Sequence, residues 1–208
     1  ADIENLMNEA AILTARKREK KIHMETIEEA ITKVIAGVAK KSRVISEPER
    51  KLTAYHEAGH AVVARCIPDS DPVHQVTIIP RGRAGGFTMT LPKEDKSYET
   101  RNSMKNAIVH LLGGRVAEAL TLDDISTGAS NDIQRATDIA KEMVTKYGFS
   151  DKLGPVNYSS GEEVFLGKDF STRQSYSEGT AAAIDEEVKA IIEEAYEAAK
   201  KILTENME

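Results

Sequence analysis

The chain contains no tryptophan and only one cysteine, Cys66, and no apolar run approaches the ~18 residues needed to cross a bilayer. A single thiol excludes an internal disulfide, and without paired cysteines there is no thiolate metal site. This usage fits a reducing compartment such as the cytosol, with Cys66 expected as a buried, inert thiol. The N-terminus lacks the basic-then-apolar signature of a signal peptide, so a soluble chain is expected. It opens at Ala1-Asp2-Ile3 without an initiator methionine, which points to a piece of a longer protein. Basic residues are outnumbered, 28 against 34 acidic, for a net charge of -6. With no basic stripe interleaved with aromatics, nothing calls for nucleic acid. Also missing is a Gly-rich phosphate loop ending in Lys-Ser/Thr, so the chain is expected neither to bind nor to hydrolyse ATP. No internal repeat or low-complexity tract is present.

What remains is a 208-residue chain, 40% hydrophobic and 30% charged, rich in Ala, Glu and Lys. That composition favours a mainly helical fold. Ile3, Leu6, Met7, Ala10 and Leu13 recur at helical spacing over residues 3–18, followed by Ile27, Ala30, Ile31 and Val34. The two stretches predict a helical hairpin too small to enclose a core, which must pack on something outside this chain. The segment from Gly37 to Ser46, with Lys40, Lys41 and Arg43, breaks the periodicity and reads as a linker. Residues 1–43 and 44–208 are thus the expected units.

Ser46-Glu47-Pro48-Glu49 combines an N-cap serine, a first-turn proline and a glutamate three residues on, announcing a helix that should end near Cys66, before Pro68. A β-branched run from Val73 to Ile79 and a second from Phe87 to Leu91 predict a two-stranded ribbon turned at Arg81 to Gly86. Further helices are expected over Tyr98–Leu120, over Asn131–Tyr147 with Gly148 as its stop, and over Ser177–Leu203. The last presents Ile184, Val188, Ile191, Ala195, Ala199 and Ile202 on one face. Phe149 to Tyr176 reads as irregular.

The chemistry concentrates in the first helix of the second unit. His56 and His60 stand one helical turn apart, so both imidazoles project from one face and can share a metal ion. Glu57, adjacent on that turn, can reach a water on the ion and act as general base, then hand the proton to the departing amine. Imidazole ligands favour zinc, which takes three protein ligands at a catalytic site and leaves one position open. The third ligand is not in the motif. His74, His110, Glu118 and Asp132 are the candidates, Asp132 standing out at a helix start after the polar loop Ser126-Thr127-Gly128-Ala129-Ser130-Asn131. Glu118 can instead hydrogen-bond a ligand imidazole, or pair with an arginine. Gly59, between the histidines, implies close approach of another helix, as do the paired Gly113 and Gly114. Gly86, Phe87, Thr88 and Met89 are candidates for a strand that holds an extended peptide by main-chain hydrogen bonds.

These residues fall within a longer pattern. Ala1-Asp2-Ile3-Glu4-Asn5-Leu6 with Asn8-Glu9-Ala10-Ala11, Tyr55-His56-Glu57-Ala58-Gly59-His60-Ala61-Val62, and Leu112-Gly113-Gly114-Arg115 with Ala117-Glu118 open it. Ser126 to Asp132, Gly148-Phe149-Ser150 with Leu153-Gly154-Pro155, and Val164-Phe165-Leu166-Gly167 follow in order. Taken together the chain resembles the FtsH family of membrane-anchored ATP-dependent zinc proteases. The resemblance implies a mainly α fold with a small β-ribbon, preceded by a hairpin from the end of an AAA+ lid in residues 1–43. It implies His56, His60 and Asp132 as ligands of one Zn2+ per chain and Glu57 as the catalytic carboxylate. It further implies a homo-hexamer that degrades unfolded, misassembled or extracted proteins, membrane proteins among them, with ATP and Mg2+ used only by upstream parts. The implied place is the cytoplasmic face of a bacterial inner membrane, or failing that an organelle membrane, anchored only through upstream segments. The chain departs from the family at Ala119, where a second acidic residue is usual.

Overall fold

The computed structural model describes residues 2–40, 44–68, 70–82, 84–92, 94–95, 97–122, 124–159 and 176–207. Lys41, Arg43 and Arg83 lie outside them, as do Val164-Phe165-Leu166-Gly167 and most of the stretch expected to be irregular. Two helices, α1 (Asp2–Arg16) and α2 (Met24–Ala36), form the predicted hairpin. Its own core is small: Ala10, Leu13 and Ala30, with Leu6 and Ile27 packed against them. Ile3, Met7 and Val34, expected on the apolar face, are exposed instead, because two helices cannot cover both sides of each other's stripe.

The hairpin leads into a tie with the ribbon. Gly37 ends α2 with φ +85°, a conformation that only glycine adopts freely. Lys40 N–H then donates to Pro80 O at 2.8 Å, Arg81 Nη1 donates to Gly37 O at 3.2 Å, and Thr32 Oγ1 donates to Gln75 Oε1 at 2.9 Å. Part of the predicted linker is therefore held to the ribbon rather than free.

Helix α3 (Glu47–Cys66) starts where expected, with the Ser46 hydroxyl accepting from Glu49 N–H at 3.3 Å. Strands β1 (Val73–Thr77) and β2 (Phe87–Thr90) pair antiparallel with Thr77 opposite Phe87, and a bulge at His74 breaks the register. Both are shorter than predicted, and both lean on α3. Helix α4 (Arg101–Thr121) begins three residues later than predicted because Thr100 and Ser103 form a capping box that fixes the start. Helix α5 (Ser130–Thr145) follows a single 3-10 turn at Thr127–Ala129. After α5, Gly148 takes φ +61° and Phe149 N–H reaches back to Met143 O at 2.8 Å. Helix α6 (Glu178–Glu205) is capped by Ser177.

α4 is the centre of the main body. It packs on α3, α5 and α6, and its buried residues run all the way round, from Met104 and Ile108 to Val116 and Glu118. Ile108, Val116, Val63 and Met143 are fully enclosed, each stabilising the fold by about 1.5–3 kcal/mol. α6 closes the core with Ala195, Ala199 and Leu203, and Ile184 is buried as well. Cys66 is exposed rather than buried, since the last turn of α3 turns Val63 and Ile67 to the core and this thiol outward. No helix among the described residues is long and apolar enough to cross a membrane.

The α3–α4 contact is unusually close. A Cβ added at Gly59 would lie 2.4 Å from Gly113 O and 2.6 Å from Ala117 Cβ. Gly59→Ala gains about 1 kcal/mol of helix propensity but forces the helices apart, so a net loss of roughly 1–3 kcal/mol is expected. A thermal unfolding midpoint lowered by several degrees is the anticipated result, and an unchanged or raised midpoint refutes the close contact.

Candidate metal centre

Because α3 lies so near α4, its third and fourth turns press their polar side chains onto α4 rather than into water. His56, Glu57 and His60 are all buried. The imidazoles rest on Gly114, where an added Cβ would sit 2.5 Å from His56 Cε1 and 2.6 Å from His60 Nε2. No residue with a side chain fits beneath them.

Each ring is turned by an acceptor behind it. His56 Nδ1 lies 2.7 Å from Glu118 Oε1, and His60 Nδ1 lies 2.9 Å from the main-chain oxygen of His110. Donation from both Nδ1 atoms leaves both Nε2 atoms with lone pairs facing forward. There they meet at 3.1 Å, with Asp132 Oδ2 at 3.4 Å from His56 Nε2 and 3.6 Å from His60 Nε2. With both rings neutral, three acceptor atoms thus converge, and only a shared proton or a cation relieves their repulsion. A tetrahedral ion with bonds of about 2.0–2.1 Å needs ligand atoms roughly 3.3 Å apart. The triangle has that size, and a cation at its apex removes the repulsion.

Electrostatics lead to the same place. Burial disfavours the charged form of His56, but hydrogen bonds to Asp132 and Glu118 outweigh it and raise its pKa. Burial would likewise raise the Asp132 carboxyl, yet the hydrogen bonds from His56 and His60 hold it well below the usual carboxylate range. The site is built to draw in positive charge. Glu57 is shifted upward, chiefly by burial, against the Thr88 hydrogen bond and the two imidazoles. That shift moves a carboxylate toward the basicity a proton acceptor needs.

The structure therefore brings together His56, His60 and Asp132, and among the described residues no other group of three metal-ligating side chains forms. Glu118 is fully enclosed and accepts from three directions: His56 Nδ1, Ser126 N–H at 2.8 Å and Ser126 Oγ at 3.1 Å. Of the two readings open in the sequence, the structure holds the bond to an imidazole, and among the described residues no arginine pairs with Glu118. His74 is exposed on β1, away from the cluster. His110 stands beside His60, ring centroids 5.5 Å apart, and its pKa is pushed down to about 4 by burial, with the His60 and Arg135 charges adding. It contributes its carbonyl to the site and no ligand atom.

In front of the triangle opens a cleft of about 1000 Å³. Gly86, Phe87 and Thr88 line it, whereas Met89 faces the interior and does not. Thr88 has a role the sequence did not suggest: its hydroxyl donates to Glu57, 2.8 Å from Oε2 and 3.0 Å from the main-chain oxygen. Gly86 also abuts Glu57, an added Cβ lying 3.0 Å from its Cγ. Also unforeseen were Ser126, Arg135 at the cleft wall, and the carbonyl of His110. The paired glycines were the only advance signal of the floor.

The model of peptidase family M41 matches residues 43–208, four-fifths of the chain. The chain belongs to peptidase family M41. Among curated relatives, the chain is 70% identical to "ATP-dependent zinc metalloprotease FtsH 2" of Alkaliphilus metalliredigens, an alignment covering 100% of this chain and 30% of that protein. It is 62% identical to "ATP-dependent zinc metalloprotease FtsH 1" of a Thermoanaerobacter species, over 100% of this chain and 34% of that one. It is 54% identical to "ATP-dependent zinc metalloprotease FtsH" of Bacillus subtilis, over 99% of this chain and 33% of that one. The chain spans about a third of the length of the curated relatives it matches.

If Glu118 orients His56, Glu118→Gln weakens metal affinity by about 10–100-fold while helical content is kept. Competition of the purified variant with a fluorescent chelator measures this. Parental affinity in the variant would mean that the Glu118 bond is incidental.

Proposed function

We propose that the chain is the zinc-dependent endopeptidase part of an ATP-dependent protease, with His56, His60 and Asp132 holding one zinc ion and Glu57 as general base. The supporting observation is the convergence of three lone-pair atoms beside a buried, pKa-raised carboxylate in an open cleft. Membership of M41 and the zinc metalloproteases among its relatives support the same reading.

A bound zinc ion supplies Lewis acidity, lowering the pKa of water from 15.7 toward about 7 and polarising a carbonyl oxygen. The protein supplies the rest. Glu57, anchored at Oε2 by Thr88, keeps its other carboxylate oxygen to take a proton from the attacking water. The same oxygen then carries that proton to the amine nitrogen as the C–N bond breaks. β2 stands along the cleft with one edge paired to β1, and its other edge offers main-chain groups to an extended polypeptide. Such binding asks little of sequence, which suits unfolded proteins as substrates.

We assign residues 1–43 to the end of an AAA+ lid and its linker, and 44–208 to the peptidase domain. This is supported by the family match beginning at residue 43 and by the separate small core of α1 and α2. For the whole protein we propose a homo-hexamer anchored at the cytoplasmic face of a bacterial inner membrane, taking unfolded or membrane proteins. Its ATP and Mg2+ sites belong to other segments.

Glu57→Gln should keep about one zinc ion per chain and lose roughly 10²–10⁴-fold in hydrolysis of a disordered protein such as casein. Metal analysis and a proteolysis assay on the same sample decide it, and cleavage at the parental rate sinks the assigned role. Stripping the parental chain with 1,10-phenanthroline should abolish hydrolysis and added Zn2+ restore it. Activity that survives complete metal removal is incompatible with the proposal.

A further inference from the structure

The cleft does not stop at the imidazoles. Between the N-terminal half of α4 and the start of the ribbon lies a second cavity of about 410 Å³. Thr90, Ala107 and His110 line both spaces, so they form the doorway between them. Thr90 is the last residue of β2. A polypeptide extended along that strand therefore passes the mouth of the side cavity within a few residues of the metal centre. Its size is at the low end for ligand pockets, roomy for one long side chain and too small for a folded partner.

Most of the lining residues are of polar type, and among the described residues the charge they carry is of one sign. Asp71, half-buried, and Glu99 bring carboxylates, and among the described residues no lysine or arginine lines the space. The two cations in the first turns of α4 are committed elsewhere: Arg101 holds Asp151 through two bonds of 2.9 and 3.0 Å, and Lys105 holds Glu194 at 2.7 Å. At the N-terminus of α4 the Thr100 and Ser103 amides are taken up by the capping box, and the Ser103 hydroxyl donates to Glu99 Oε2, which leaves Asp71 as the carboxylate of the cavity that the capping box does not touch. Of the lining residues only Ala107 and Tyr98 are apolar in type, and together with the methyl groups of Thr90 and Thr100 they can flank an aliphatic stem.

We propose that this cavity is a substrate subsite that selects a lysine or arginine side chain of the polypeptide lying in the cleft, with Asp71 as the residue that sets the charge preference. The assignment rests on the peptidase reading of the cleft. A cationic head entering between Asp71 and Glu99 exchanges water for charge-assisted hydrogen bonds, whereas a glutamate meets two like charges. The preference is electrostatic and shrinks as salt is raised.

Three peptides identical except for Arg, Leu or Glu at one position, scanned across the cleavage site, provide the test with the zinc-loaded 208-residue chain. At one position the Arg peptide should exceed the Glu peptide roughly tenfold in kcat/KM. Asp71→Asn should collapse that Arg-to-Glu ratio, and Asp71→Lys should invert it. A purely structural role for Asp71 lowers all three peptides in proportion and leaves the ratio alone, which overturns the proposal. Equal rates for the three peptides at every position overturn it as well. Binding of the same labelled peptides to zinc-loaded Glu57→Gln, read by fluorescence anisotropy, separates the two levels. An Arg preference in binding without hydrolysis by the parental chain upholds the subsite and refutes the peptidase reading. No difference in binding between Arg and Glu refutes the subsite.

Discussion

Everything at this centre depends on how closely two helices approach. Gly59 on α3 and Gly113 on α4 let one backbone lie against the other, and Gly114, one residue on, leaves a bare patch on which both imidazoles rest. Side chains at these positions would hold the helices a methyl group or more apart. The rings would then lose both their floor and the His110 carbonyl that fixes one of them. The glycines give up about 1 kcal/mol each of helix propensity, and the geometry of the site is what that sacrifice secures.

Burying so many polar groups is stable only because each has a partner. Glu118 sits inside α4 with no exposed surface, and it is satisfied by the His56 ring on one side and by Ser126 on the other. It thereby links α3 to the loop that leads into α5, and Arg115 holds the same loop through Ser126 O at 3.4 Å. Six residues beyond Ser126, Asp132 lies in the first turn of α5, where the helix dipole favours a carboxylate. One buried glutamate thus orients a histidine and steadies the segment that delivers the opposing aspartate. This is a cooperative network whose members are worth more together than singly.

The ribbon is the other half of the arrangement. Two short strands are marginal alone; these survive by leaning on α3, and in return they place Thr88 against Glu57 and Gly86 beside it. At its far turn the ribbon is also held by the segment leaving the hairpin, through Arg81 and Lys40. A single small β element therefore touches both the Glu57 carboxylate and the preceding helical unit.

The sequence by itself determined whatever is local. Helix spacing puts His56 and His60 on one face, Ser46 and Pro48 start α3, Gly148 ends the turn after α5, and the family pattern singled out Asp132 among four candidates. The first three depend on neighbours within a few positions along the chain, so periodicity and capping chemistry reveal them; Asp132 is distant in sequence and was implied as a ligand only by the family resemblance. Only the tertiary structure decided what lies across a gap: the backbone oxygen of His110 behind His60, the floor at Gly114, the Thr88 hydroxyl on Glu57, and the outward turn of Cys66. It also resolved Glu118 as the partner of His56 and turned Met89 away from the cleft. The physical reason is that a carbonyl carries no residue-specific signature, and a hydroxyl or a missing Cβ gains meaning only from what another element brings within 3 Å of it.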